Sequence, residues 1–206
     1  MKKPQPSEEF IAEQRKLLKE NPECATSSYN LGVALMQEGK LDEAAEAFND
    51  AIANSGRMFE GYVNLGYIYF KQNRIEKVVE VNKKAIEIEP RYARGYANLG
   101  FAYLEMAKPK EAIDALKKAI EINPRIIQAW CNLINAYLQD EDVEEALSTG
   151  EQALKVAPDF PLLHNNIAFA YYVKEDYNKA IFHIDKAVEL GFEPHPEFLK
   201  ILESYR

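Results

Sequence analysis

The sequence predicts an all-α solenoid of paired helices with a capping helix at each end. Three observations carry this: residues recur at a strict 34-residue period, apolar stripes within each period follow helical spacing, and short polar turns separate the stripes.

The period is written several times over. Leu-Gly occurs at Leu31-Gly32, Leu65-Gly66 and Leu99-Gly100, and two further steps reach Leu133-Ile134 and Ile167-Ala168, where the glycine is replaced and the apolar residue stays. Ala51, Ala85, Ala119, Ala153 and Ala187 form a second ladder. Tyr69, Tyr103, Tyr137 and Tyr171 form a third, with Leu35 in the first unit. Pro90, Pro124 and Pro158 close three of the units. The resulting boundaries are 25–58, 59–92, 93–126, 127–160 and 161–194.

Each unit holds two stripes. In the third, Tyr96, Leu99, Gly100 and Tyr103 mark one helix, and Ala112, Leu116, Ala119 and Ile120 mark the next. Pro109 between them suits the first helical turn, where its missing N–H would be unbonded anyway. Small residues against large ones let the two helices approach closely. A lone unit would leave one face exposed, so units must stack on their neighbours.

The ends read as half-units. Residues 1–24 form a tail and an N-terminal capping helix: Ser7 caps it, Glu8 and Glu9 suit its positive end, Phe10, Ile11, Leu17 and Leu18 line one side, and Pro22 stops it. Residues 195–206 form a C-terminal capping helix opened by Pro196, with Phe198, Ile201, Leu202 and Tyr205 on one stripe. Twelve helices are expected in all.

Composition narrows the function. With 25 Lys plus Arg against 33 Asp plus Glu, the chain carries −8, opposite in sign to a phosphate-binding surface, so no nucleic-acid partner is expected. Cys24 and Cys131 have no metal-like or CxxC spacing and read as two buried, reduced thiols of a cytoplasmic protein. Lys2-Lys3 is followed by Pro, Ser and Glu rather than by an apolar signal core, and no run of apolar residues is long enough for membrane insertion. A targeting segment trimmed from the chain would not be visible here.

The third unit, with Tyr96, Leu99-Gly100, Tyr103, Ala112, Ala119 and Pro124, resembles the tetratricopeptide repeat family, and the resemblance runs through all five units. It implies a right-handed α-α superhelix with the first helices of successive units lining a concave face. The chain departs from the family pattern at several places. Asn82 and Gly150 stand where a large aromatic is usual, so the second and fourth units should be less filled there. His164 stands where other units carry Tyr62, Tyr96 and Trp130, and Gly56 and Phe192 replace the closing proline.

In that register one inward line is Asn30, Asn64, Asn98, Asn132 and Asn166. An asparagine side chain carries both a donor and an acceptor, so a row of them can read the backbone of an extended peptide. It can equally tie down local polar groups, and both readings stand at this point. Beside it run Val33, Tyr67, Phe101, Asn135 and Phe169, then Tyr29, Val63, Ala97, Cys131 and Asn165, with Met36, Phe70, Leu104, Leu138 and Tyr172 a turn further on. Tyr67, Phe101 and Phe169 read either as core, as helix-spaced aromatics usually are, or, since other ladders already supply the main core stripe, as an exposed stripe that a partner or a terminal helix folding back into the groove would cover. Arg94 is the one basic residue well placed in the groove. Lys200 ends the asparagine line, which makes the last helix a lid rather than a reader.

The resemblance also implies what is missing. Family members that grip acidic chaperone tails use a clamp of lysines, an arginine and asparagines. Here the lysine sites hold Tyr29, Val63 and Ala97, and the arginine sites hold Asn98, Asn132 and Asn166. No phosphate, dinucleotide or metal motif is present, so no cofactor, metal or catalytic residue is expected. His164 reads as packed, and His183 and His195 as surface residues. The expected function is an adaptor holding a protein or peptide partner in the groove. The alternative is a scaffold that self-associates through its ends or groove into homo-oligomers, and a third reading is an accessory subunit of an enzyme.

Overall fold

A computed structural model describes residues 8–206, so the expected cap at Ser7 lies outside the described residues. Every described regular element is a helix: α1 (Glu8–Glu20), α2 (Ala25–Gln37), α3 (Leu41–Asn54), α4 (Phe59–Lys71), α5 (Ile75–Ile88), α6 (Ala93–Glu105), α7 (Pro109–Ile122), α8 (Ile127–Gln139), α9 (Val143–Val156), α10 (Pro161–Val173), α11 (Tyr177–Glu189) and α12 (Pro196–Glu203). The chain forms two units, one ending at Pro90 and one spanning Arg91–Arg206. The first contains α1 to α5, and the second α6 to α12.

Within each unit the helices pair in chain order, and the closest packing joins α2 to α3, α4 to α5, α6 to α7, α8 to α9 and α10 to α11. At the centre of each pair a small residue faces a larger one. A Cβ on Gly32 would lie 2.8 Å from the Phe48 ring, and one on Gly100 would lie 2.6 Å from Leu116 Cδ2. Such distances leave no room for a methyl group, so the glycines set how near the helices come. Gly66 faces Asn82, whose amide donates to the Val78 carbonyl at 2.8 Å and is thereby satisfied although the residue is 2% exposed.

The fourth pair inverts the arrangement. Ile134 on α8 is large and Gly150 on α9 is small, and a Cβ on Gly150 would meet Ile167 Cγ1 at 2.7 Å. The site expected to be underfilled is therefore filled from the opposite helix and from α10. In the fifth pair Ala168 and Ile184 restore the usual sense, and both are fully buried.

The turns inside the pairs are also periodic. Gly39, Asn73, Ala107, Glu141 and Glu175 all have left-handed φ between 53° and 77°. Each closes its helix with two bonds, as at Ala107, where Ala107 N donates to Leu104 O and Lys108 N to Tyr103 O. α7 begins at Pro109, as its sequence predicts. Asp142 caps α9 by accepting from Glu145 N at 3.2 Å.

The ends differ from expectation in which side they bury. In α1 the inward line is Ile11, Gln14 and the half-buried Leu18, whereas Phe10 and Leu17 stay exposed, because positions 11, 14 and 18 follow one helical face. In α12 it is Leu202 that enters the core, against Ala168, Ala180 and Ile184, while Ile201 remains 41% exposed. Cys131 is buried, and burial pushes its thiol up to about 12; Cys24 is only half-buried, contrary to the expected pair of buried thiols.

Left-handed backbone costs an L-residue roughly 1 kcal/mol or more that glycine does not incur, offset in part by the greater freedom of glycine in the unfolded chain. Replacing Ala107 by glycine should therefore raise stability by about 0.5 kcal/mol, whereas Gly39→Ala should lower it by about 1 kcal/mol. Urea unfolding of both variants measures this. Destabilisation by Ala107→Gly would contradict it.

Candidate functional site: an inner helix face and the cleft beside the last helix

The residues predicted to face inward lie on the first helix of each pair, but the structure does not treat them alike. In the first unit Asn30 and Asn64 are half-buried, and Asn64 Nδ2 donates to the Tyr29 hydroxyl at 3.4 Å. Tyr67 and Phe70 follow on α4 at 51% and 47% exposure, and the Lys71 ammonium lies 5.7 Å from the Tyr67 ring centroid. Large rings that exposed, side by side on one helix face, are apolar surface the unit itself leaves uncovered.

In the second unit Arg94 and Asn98 are exposed and Phe101 is half-buried. Asn132 and Asn166 are buried. Asn132 Oδ1 accepts from Gln128 Nε2 at 3.0 Å, and Asn166 Nδ2 donates to the Cys131 carbonyl at 3.2 Å. The Asn166 bond, like that of Asn64, spans 35 residues and ties one first helix to the preceding one. These amide groups are thus engaged inside the protein.

Asn135, Asn166 and Phe169 are brought together. They line an open-sided cleft of about 510 Å³, with Asn165 and Tyr172 completing the α8–α10 side. That volume lies within the usual range of binding clefts. The opposite side is made by Phe192, His195, Glu197, Phe198 and Ile201. Phe198 meets the Phe169 ring at 5.7 Å and the Tyr172 ring at 5.6 Å, both in edge-on geometry favourable to aromatic pairs. The α12 residues were not among the predicted site residues. The end of the asparagine line at Lys200 and the replacement of the closing proline by Phe192 were the only signals of a change there.

A second cluster joins α8, α10 and α11. Trp130 Nε1 donates to the Pro124 carbonyl at 2.8 Å, and His164 Nε2, one period later, lies 2.8 Å from the Pro158 carbonyl. A carbonyl only accepts, so His164 carries its hydrogen on Nε2 and presents a bare Nδ1 when neutral. His183 Nδ1 lies 3.0 Å from it and supplies the hydrogen. His183 is therefore not the surface residue expected: it is half-buried, stacked on Tyr171 with ring centroids 5.6 Å apart, and edge-on to Phe182. Burial first, then His164 and Lys179, pull its pKa down from 6.5 to about 4. Among the described residues no group of three or more His, Cys, Asp or Glu side chains gathers as a metal site would require, and no helix is long and apolar enough to cross a membrane.

Paired helices in series, each closed by the same left-handed turn, define an α-helical repeat protein. The model of the tetratricopeptide repeat matches residues 93–126, and related models of the same repeat match residues 66–106 and 14–58. The chain belongs to the tetratricopeptide repeat family, and it is a protein-interaction module of that fold. Among solved structures it is similar to YrrB, described as a TPR protein with an unusual peptide-binding site, at 22% identity over 86% of this chain and 92% of that one, with a TM-score of 0.74. It is also similar to MamA, at 25% identity over 78% and 94% with a TM-score of 0.73. A thermophilic TPR protein of Thermus thermophilus matches at 23% identity over 88% and 98%, with a TM-score of 0.60. No curated protein sequence matches the chain.

The histidine pair makes stability depend on pH. The folded chain keeps His183 neutral down to about 4, whereas the unfolded chain takes up a proton below 6.5. Stability is therefore full above 6.5 and falls as pH drops toward 4. Thermal melts at about pH 7.5 and about pH 5 should show a drop in Tm that is smaller in His183→Leu than in the wild type. An equal drop in both proteins would assign the acid sensitivity to other groups.

Proposed function

We propose that this protein is an adaptor that holds a peptide segment of a partner protein against the inner faces of its first helices, with the cleft beside α12 as the principal seat. The observation that carries this is the persistence of apolar and amide surface in one place: Phe169 stays 45% exposed although it lies against packed rings, and the exposed Asn135 amide lines the same cleft. The likeness to YrrB supports a peptide rather than a small molecule as the occupant. In this reading the exposed Asn98 and Asn135 contact the peptide, Asn64 and Asn166 bond across to the preceding first helix, and Asn132 is held by Gln128 on its own helix. Arg94 and Phe101 are further candidate contacts within the second unit, and Asn30, Tyr67 and Phe70 within the first.

Panning a random peptide library on the immobilised protein should yield binders whose affinity falls about tenfold, or about 1.4 kcal/mol, on Phe169→Ala. Asn135→Ala should weaken them in the same direction, and Phe182→Ala, on an exposed outer ring, should not. Binders indifferent to Phe169 and Asn135 would move the site elsewhere.

A further inference from the structure

Resting on the groove reading just given, we propose that the cleft selects an extended segment bearing a bulky apolar side chain with a lysine or arginine at an adjacent position. The apolar half of this specificity follows from the walls. Phe169, Tyr172 and Phe198 meet at one corner, and Ile201 on α12 stays 41% exposed along the same cleft. A large aliphatic or aromatic side chain entering there covers surface that the protein leaves to water.

The charged half follows from what lines the rim. Among the described residues Glu197 is the one acidic side chain that lines the cleft, and no lysine or arginine lines it. Glu197 is exposed and stands next in sequence to Phe198, so it sits at the edge of the apolar corner rather than within it. A cation on the occupant meets this carboxylate, whereas an anion there would face it with no compensating charge in the cleft. In an extended segment successive side chains alternate in direction, so a neighbour of the buried anchor turns outward toward such a rim.

α12 is a fixed wall in this scheme, not a lid that must leave. Leu202 is 1% exposed in the core, Tyr205 stacks on Tyr177 at 3.7 Å, and the Arg206 guanidinium pairs with Asp185. Anchored beyond the cleft in this way, the helix keeps Phe198 and Glu197 in place without an occupant. The last helix thereby adds a selective element that the regular first helices lack.

The test is an array of short synthetic peptides in an Ala/Ser background. One position carries Phe, Leu or Ala, and a nearby position carries Lys, Ala or Glu. Probed with the whole protein, Phe/Lys peptides should bind at least about tenfold better than Ala/Lys or Phe/Glu peptides. Glu197→Lys, a change at an exposed position, should reverse the charge preference and keep the apolar one. An unchanged charge preference in Glu197→Lys, or indifference to the apolar residue, overturns this specificity. The groove reading survives that result if library-selected binders still depend on Phe169, and fails with it if they do not.

Discussion

The contact on which the rest of the structure depends is the meeting of a small and a large side chain at the centre of each helix pair. Gly32 with Phe48, Gly100 with Leu116, and Ala168 with Ile184 put the small residue on the first helix. Ile134 with Gly150 puts it on the second. What these four pairs share is a small residue matched by a large one, as close packing requires. Given that spacing, the left-handed turn returns the chain, the alanine ladder is buried against its neighbours, and the first helices come to carry side chains not needed for the core.

Much of this architecture was legible in the sequence because it is periodic. The Leu, Ala and Tyr ladders report positions that face the same surroundings in every repeat, so each unit corroborates the others. The period also marks the turn, although only Gly39 among the five turn residues has the residue type expected for left-handed backbone. The fourth pair departs from expectation for a physical reason. A ladder compares like positions in successive units, whereas packing compares unlike positions within one unit, and the compensation of Gly150 by Ile134 is visible only across the pair.

The candidate site was less legible. A row of five asparagines looks uniform in sequence, yet Asn98 is exposed while Asn132 and Asn166 are buried. The environment of each depends on the neighbouring first helix, which the period does not specify. The cleft depends on α12, a segment outside the repeats whose direction follows from where Leu202 finds a core. The histidine pair was hidden similarly: His164 takes over the hydrogen bond that Trp130 makes one period earlier, and only then is its Nδ1 turned toward His183.

Function follows from the same division of labour. Side chains at the helix junctions hold the pairs at a set distance, and side chains on the inner faces are released for other contacts. The junction is therefore decisive, and the most direct measurement is the stability effect of Gly100→Ala in two backgrounds. Beside Leu116 the added methyl has no room, so Gly100→Ala should destabilise by about 1–3 kcal/mol. With Leu116→Ala already in place the obstruction is gone, and the same change should stabilise by about 1 kcal/mol, the helix preference for alanine over glycine. Stabilisation by Gly100→Ala in both backgrounds would contradict the central role of the junction.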